Sequence, residues 1–390
     1  MISSGSSPNC RLTWVSEYQL PETAPGRHTD HKIGRGFSAR AIATIVTLAF
    51  GVILLAEVFI APPATFGGKD NPGAWNPPRD RAELLVAKMD GHTFAQIAED
   101  PLMKHTVAAY NGDESNAAYR SARPVMGWMY FVGSAGGQRM LLAPVILIFT
   151  ALTAGAVVLA TDALGRAMGL RIGLLGLIPI MPALVAAAAY PGVSEPMAYA
   201  LALFGLAAWC RSKTWLAIGL FCLAALTRET TLLVPMGLGI DHLIRTRRLQ
   251  GALPLLLVPA SYVAWVSVVY ARIGALPSSY SPMDGPFVGF KEAFPHWKPA
   301  EWLTAALLVA SAVVIIRSGT GWMRAILAVH ALFFVFMNYQ VWWVWWGFGR
   351  VGTMLPLLGL VAFARQRARA TNEPPILEPL AWSPASCSIP

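Results

Sequence analysis

The stretch AIATIVTLAFGVILLAEVFI, residues 41–60, and the stretch LLAPVILIFTALTAGAVVLA, residues 141–160, decide the fold. Each contains twenty residues, about the length that an α-helix needs to cross the hydrocarbon core of a bilayer. Glu57 is the one charged residue in the two stretches together. They predict two membrane-spanning helices with a long polar segment between them.

The composition extends this prediction to the whole chain. Of 390 residues, 55% are hydrophobic and 13% are charged, and the mean hydropathy is +0.50, which is too apolar for a soluble globular protein. We predict an all-α integral membrane protein with about ten spans, within a range of about 8 to 12. The candidate spans are residues 41–61, 141–161, 172–190, 196–210, 214–227, 230–244, 252–271, 302–317, 322–338 and 350–364.

Basic residues predict the orientation, because short loops rich in Lys and Arg stay on the cytoplasmic side. They concentrate in every second connection between the spans. The first group, Arg27 to Arg40, precedes the first span, and the last group, Arg365 to Arg369, follows the last span. Both termini are therefore expected in the cytoplasm. The predicted divisions are a disordered tail over 1–39, a membrane domain over 40–366 with outer loops at 62–139 and 272–301, and a disordered tail over 367–390.

The net charge of +9 follows from these basic connections, which face anionic lipid headgroups. Basic and aromatic residues do not alternate as in a nucleic-acid-binding surface, so we expect membrane lipid and no nucleic acid as a partner. The four cysteines, Cys10, Cys210, Cys222 and Cys387, show neither disulfide nor zinc spacing.

The first outer loop carries the first candidate site residue, Asp90. Residues 80–100 predict a helix, on which Val86, Asp90, Thr93, Phe94 and Ile97 share one face. A carboxylate within this apolar stripe would be partly dehydrated, and desolvation raises its pKa and makes it a better proton acceptor. The alternative is a carboxylate on the helix surface.

The same loop carries further candidates. Tyr119, Arg120 and Arg123 precede an apolar run, where arginines either bind an anion or anchor the membrane interface. Asp100 and Asp113 each belong to an adjacent acidic pair, which is either functional or only a helix end and a solvated turn.

Four charged residues lie in other predicted outer turns. Arg228 and Glu229 interrupt a long apolar stretch, and Glu195 lies in the turn after Tyr190. Charges at such depth are costly, so they pair with one another or line a polar cavity. Arg350 follows the tryptophan-rich run 342–346, which is either an interfacial belt or a surface that stacks against a sugar or a lipid chain.

Two motifs in this loop carry a resemblance to a known family. They are Asp90-Gly91-x-x-Phe94-x-x-Ile97-Ala98-x-Asp100-Pro101 and Tyr119-Arg120-x-x-Arg123-Pro124. Together they resemble the first outer loop of bacterial polytopic GT-C-type glycosyltransferases, and especially the cell-surface glycopolymer formation proteins. The Thr227-Arg228-Glu229 turn is similar to a turn near the middle of those chains. Met89 departs from the pattern, which often has an aromatic residue there.

The resemblance implies an inverting sugar transfer from a polyprenyl-phosphate donor to a glycan or lipid acceptor at the outer membrane face. Asp90 would be the general base, and Arg120, Arg123 and Arg228 would neutralise the phosphate. An Asp-x-Asp motif for a nucleotide-sugar and its metal is missing from the sequence, which favours a lipid-linked donor. No cofactor is implied. Asp100 and Asp113 remain alternative bases, and a divalent metal remains open without being indicated.

Two other functions compete with this one. A transporter or flippase for a lipid-linked or small polar substrate would place ionisable residues at mid-membrane depth. The predicted spans carry few such residues, namely Glu57, His330 and the Arg228-Glu229 turn, which favours a site at the outer surface. A catalytically inactive assembly subunit of the same fold would have the same sequence pattern.

Overall fold

The computed structural model describes residues 38–60, 79–87, 90–106, 112–170, 181–277 and 283–370, with Asp90 described by its backbone alone. Within these ranges the chain is helical, and its one extended pairing is a bridge between Met283 and Met337. The α-helices are α1 (Ala39–Ile60), α2 (Arg81–Val86), α3 (Asp90–Glu99), α4 (Glu114–Ser121), α5 (Pro124–Gly133), α6 (Arg139–Ala167), α7 (Met181–Ala189), α8 (Glu195–Cys210), α9 (Thr214–Thr227), α10 (Leu233–Thr246), α11 (Leu257–Ile273), α12 (Val288–Ala293), α13 (Pro299–Ser318), α14 (Gly321–Val335), α15 (Tyr339–Trp342), α16 (Trp345–Gly352) and α17 (Met354–Ala370).

The long apolar helices indicate a membrane-embedded protein. Four helical stretches are long and apolar enough to cross a bilayer, namely α1, α6, residues 253–273 and α13. A fifth results if α16 and α17, which are bent by 54°, are counted as one span. Each of the ten candidate spans contains a helix in its described part, but α8, α9 and α14 have only 16, 14 and 15 residues. These are shorter than the roughly 20 residues of an ordinary span, so the count of ten stays a prediction.

The last described helix crosses the predicted C-terminal boundary of the membrane domain. Helix α17 continues to Ala370, four residues beyond the predicted boundary at 366. Arg367 and Arg369 lie in its last turn, where cations interact favourably with the carbonyl end of a helix. Residues 1–37 and 371–390, which hold nearly all of the two predicted tails, lie outside the described residues.

The main core forms where α8 packs between α6 and α9, and it continues through the paired helices α13 and α17. Small residues at the contacts let these helices approach closely, as is usual in membrane bundles. A Cβ at Gly205 of α8 would come within 2.6 Å of the Phe221 ring of α9, and one at Gly155 of α6 would meet Thr47 of α1. The bundle therefore depends on shape complementarity at glycine and alanine positions.

The first outer loop has its own small core against the start of α6. Val86, Phe94, Ile97 and Tyr130 are buried there with Ile146. The predicted helix over 80–100 is present as α2 and α3, with residues 88–89 outside the described part. In α3 every residue from 91 to 98 is buried, so burial extends beyond the predicted apolar stripe, while Glu99 at the end of the helix is exposed. Helix α3 packs against α5, α6 and the turn before α8.

A crossing of two glycines fixes the start of α3. A Cβ at Gly91 would lie 2.4 Å from the carbonyl oxygen of Pro191, and a Cβ at Gly192 would lie 2.7 Å from the Cα of Gly91. Gly192 also has a φ of +91°, in the left-handed region that favours glycine. The first turn of α3 therefore contacts the 190–195 turn directly.

A buried carboxylate ties α2 to α6. Glu83 is fully buried and pairs with Arg79 and with Arg139, whose Nη2 lies 3.0 Å from Oε2. Burial alone would raise the pKa of Glu83, but the hydrogen bonds from Arg139 and Arg79 outweigh it and lower the pKa. The pairing holds the outer loop against the first turn of α6.

The second outer loop packs on the tryptophan-rich run. Trp297 stacks on Phe348 with 5.3 Å between ring centroids, and its Nε1 donates to the carbonyl oxygen of Trp342 at 3.0 Å. Glu301 accepts hydrogen bonds from the backbone N–H groups of Lys298 and Trp345. Part of this run is therefore an aromatic core for the loop as well as a candidate interfacial belt.

Candidate functional site

Four separate parts of the chain meet at one charged cluster. They are the α4–α5 junction, the start of α8, the α9–α10 turn and α16. The structure brings together seven of the predicted site residues, namely Tyr119, Arg120, Arg123, Glu195, Arg228, Glu229 and Arg350. We call this set the arginine cluster.

Arg123 and Glu229 form the best-ordered pair of the arginine cluster. Arg123 is 3% exposed, and its Nε and Nη2 lie 2.6 Å and 2.7 Å from the two carboxylate oxygens of Glu229. Nη2 also donates to the hydroxyl of Tyr119 at 2.7 Å, and the guanidinium lies 4.4 Å from the centre of that ring. This bidentate geometry is the strongest form of a guanidinium–carboxylate contact.

Glu195 lies between two further arginines. Its Oε1 is 3.2 Å from Nη2 of Arg228 and 3.2 Å from Nε of Arg350. Glu195 is fully buried, and Arg228 is 6% exposed. These distances are those of ion pairs, but neither carboxylate oxygen of Glu195 accepts a hydrogen bond from any described residue. The contacts are thus looser than those of Arg123 with Glu229.

The local backbone explains why these charges face inward. Arg228 ends α9 in an extended conformation, with φ −154° and ψ 118°, before a 3₁₀ turn over Glu229–Leu232. The hydroxyl of Thr231 donates to the Arg228 carbonyl at 2.8 Å, which stabilises this break. Arg123 takes a similar position between α4 and α5, where Pro124 begins the second helix.

Opposite charges within the arginine cluster shift the pKa values of Glu229 and Arg228 toward their charged forms. Burial would raise the pKa of Glu229, but the charges of Arg123 and Arg228 and the hydrogen bond from Arg123 lower it to about 2. Burial and the charge of Arg123 oppose protonation of Arg228, but Glu195 and Glu229 outweigh them and raise its pKa. The buried centre holds three guanidinium groups and two carboxylates, a net charge of 3 − 2 = +1. It is therefore suited to bind an anion.

Three aromatic residues support the arginine cluster; Trp346 belongs to the predicted tryptophan-rich run, whereas Tyr190 and Tyr199 were not predicted as site residues. The buried Tyr199 hydroxyl donates to the carbonyl oxygens of Arg350 and Val351. Trp346 lies 5.0 Å from the Arg350 guanidinium, and Tyr190 packs on Trp346. A tyrosine within the apolar run of α8 is the one sequence signal that could have indicated Tyr199.

Helix α11 packs against α4 beside the arginine cluster. Trp265 Nε1 donates to the carbonyl oxygen of Ser121 at 2.8 Å, which holds the end of α4 on α11. This contact cannot be recognised from spacing along the chain, because α11 follows α4 by more than 130 residues.

Asp100 and Asp113 have structural partners of their own. Asp100 accepts hydrogen bonds from the backbone N–H groups of Lys104 and His105 and from the hydroxyl of Thr106. Asp113 is the N-cap of α4 and accepts from the N–H of Asn116 at 3.0 Å. These bonds match the structural alternatives for both acidic pairs, and no described contact joins either carboxylate to the arginine cluster. Their catalytic role stays a prediction.

Asp90 begins α3, and its side chain lies outside the described residues. Its neighbour Gly91 touches the turn of Pro191 and Gly192, three to four residues before Glu195. The backbone of Asp90 is therefore next to the turn that carries one end of the arginine cluster. Its role as a base stays a prediction.

The lowered pKa of Glu229 predicts a pH dependence of stability. A carboxylate whose pKa is lowered by folding stabilises the protein above the unfolded value of about 4.3, and this contribution is lost as the pH falls toward about 2. We expect the thermal midpoint in detergent to fall over this range less steeply in Glu229→Gln than in the wild type. The exposed Glu292→Gln is the matched control and should keep the wild-type slope. Equal slopes in all three proteins would contradict the contribution of Glu229.

Within the described ranges, His, Cys, Asp and Glu residues do not form a group of three or more that could bind a metal ion.

No known protein family, curated protein or solved structure matches the chain.

Proposed function

We propose that the chain is a membrane glycosyltransferase of the bacterial inner membrane. It transfers a sugar from a polyprenyl-phosphate donor to a glycan or lipid acceptor at the outer face. The observation that carries the proposal is the arginine cluster, a buried and net positive group of charges where the first outer loop meets the helical bundle.

Such a cluster suits the departure of a lipid phosphate. Negative charge grows on the phosphate oxygens as the bond to the sugar breaks, and preorganised cations in a dehydrated site stabilise that charge. Arginine remains protonated throughout and offers paired N–H groups to phosphate oxygens. The raised pKa of Arg228 agrees with a permanently charged group.

Glu229 is a poor proton acceptor, because its pKa is lowered to about 2 and both of its oxygens are bound by Arg123. A general base works best with a pKa near the working pH. Asp90, at the edge of the same region, is the base of the proposed reaction.

The proposed step is an inverting displacement. The oxygen of the acceptor hydroxyl forms a bond to the anomeric carbon, and its proton passes to Asp90. The bond between that carbon and the phosphate oxygen breaks, and its electron pair leaves with the polyprenyl phosphate. The half-buried Tyr190 and Trp346 lie beside Arg350 and supply apolar ring surface next to the charge.

A panel of radiolabelled donors tests this function. Membranes from cells that express the chain are compared with membranes from cells that carry an empty vector, with each polyprenyl-phosphate sugar and with nucleotide-sugars added one at a time. We expect incorporation into envelope material with a lipid-linked donor, above the vector background. Incorporation from none of the lipid-linked donors would contradict the proposal and favour a transporter or an inactive assembly subunit.

A further inference from the structure

We propose that Arg228 and Arg350, with Glu195 between them, form the phosphate-binding site of this protein, and that Arg123 is a positioning residue. The inference rests on the proposed function only for the identity of the ligand as a lipid phosphate. It assigns different roles to arginines whose roles cannot be distinguished from the sequence.

The arginines differ in how many of their N–H donors form hydrogen bonds, and this difference distinguishes a binding role from a positioning role. Arg123 directs Nε and Nη2 to Glu229 and shares Nη2 with Tyr119, so its donors on that side are engaged. Its contacts join the α4–α5 junction to the α9–α10 turn across 106 residues of sequence. This is the geometry of a group that holds two segments together.

Arg228 and Arg350 are bound less completely. The Nε atoms of both are buried and form no hydrogen bond with any described residue. Nε of Arg350 lies 3.2 Å from Oε1 of Glu195 as an ion pair, whereas Arg228 contacts the same oxygen through Nη2. Buried polar atoms in folded proteins are nearly always satisfied, so a group of unsatisfied donors in one place indicates a missing partner. A phosphate group offers several acceptor oxygens for such donors.

Two buried hydroxyls next to these residues are also unpartnered. Ser194, which directly precedes Glu195, is fully buried, and Thr230 lies two residues after Arg228. Neither hydroxyl oxygen has a hydrogen-bond partner within the described ranges. Both can donate to an anion, so the residues flanking the two arginines have the same chemical preference.

Helix α8 adds a further positive contribution. It has 16 residues, and Ser194 is its N-cap but makes no side-chain cap hydrogen bond. Free N–H groups and the positive end of the helix dipole at this terminus favour an anion. Glu195, in the first turn, already places one carboxylate there.

Glu195 therefore competes with the phosphate for the same cations. With Glu195 the trio has a net charge of 2 − 1 = +1, and with glutamine in its place the charge is +2. If Arg228 and Arg350 bind phosphate, Glu195→Gln should tighten binding by about tenfold, the factor expected for one relieved charge-assisted contact. A purely structural triad would give no such gain.

The test measures equilibrium binding of radiolabelled farnesyl phosphate to the purified full chain in detergent. We expect Arg350→Gln to weaken binding by about tenfold or more, Glu195→Gln to tighten it, and Arg123→Gln to weaken it by less than Arg350→Gln does in protein that remains folded. Arg272→Gln, an exposed arginine in the second outer loop, is the matched charge control and should bind like the wild type.

Competition with farnesol and with inorganic phosphate identifies the source of the phosphate. Weak competition by both supports a lipid phosphate, and competition by inorganic phosphate as strong as that of farnesyl phosphate assigns the same site to a soluble phosphate. Weakening by Arg272→Gln equal to that of Arg350→Gln, or unchanged binding in Glu195→Gln and Arg350→Gln, would overturn the site. Tight, Arg350-dependent binding in a protein that transfers no sugar would retain the site and reject the proposed function.

Discussion

Asp90→Asn should lower the rate of sugar transfer by about 10²–10⁴-fold, which is the usual contribution of a general base. Asparagine keeps the size of the side chain but cannot accept the proton of the acceptor hydroxyl. The arginine cluster is untouched, so binding of farnesyl phosphate should remain at the wild-type level. This pair of results separates loss of the base from loss of the donor site.

The control for Asp90 is Asp284→Asn, which changes an exposed carboxylate of the second outer loop. Asp284 accepts only a local hydrogen bond from the N–H of Gly285 in the described part of the chain. Transfer by Asp284→Asn should equal that of the wild type at the same expression. Full activity of Asp90→Asn would reject Asp90 as the base and return attention to Asp100 and Asp113.

Arg123→Met should destabilise the folded protein by about 3–5 kcal/mol, the cost of breaking a buried ion pair by removing one partner. Glu229 would be left beside Arg228 without its bidentate partner, and the α4–α5 junction would lose its contact with the α9–α10 turn. Glu229 is 27% exposed, so water offsets part of this cost and the lower end of the range is expected. Denaturant unfolding in detergent measures the change.

A double variant and a second ion pair complete this test. Arg123→Met combined with Glu229→Leu removes both charges, and it should recover much of the stability lost by the single variant. Arg166→Met breaks the more exposed pair with Asp162 and should cost at most about 1 kcal/mol. Equal losses in Arg123→Met and Arg166→Met would show that the Arg123–Glu229 pair does not hold the two segments together.

The helical fold could be predicted because long apolar runs have few alternatives. Runs such as residues 41–60 and 141–160 become α1 and α6 nearly as predicted. Hydropathy could not predict that residues 91–98 of α3 are all buried, because the small and polar residues among them are typical of a partly exposed helix. The reason lies in tertiary contacts, above all the crossing of Gly91 with Gly192 about one hundred residues away.

Most residues of the charged site could be predicted from the sequence, but which of them form ion pairs with one another could not. Charges in an apolar stretch must find partners, which identified Arg228, Glu229 and Glu195. Which arginine binds which carboxylate depends on how α8, α9 and α16 pack, and spacing along the chain carries no information on this. The hydrogen bonds of Asp100 and Asp113 are local and agree with the structural alternatives that their sequence context offered.

The most direct test of the account measures the transferred sugar and the released polyprenyl phosphate in the same reaction. The purified chain is placed in proteoliposomes with a polyprenyl-phosphate sugar that is labelled in both the sugar and the lipid. The account predicts that each sugar that reaches the acceptor is matched by one released polyprenyl phosphate, and that Asp90→Asn abolishes both products together. Lipid-linked sugar that stays intact, or that only moves between the two leaflets, would contradict it.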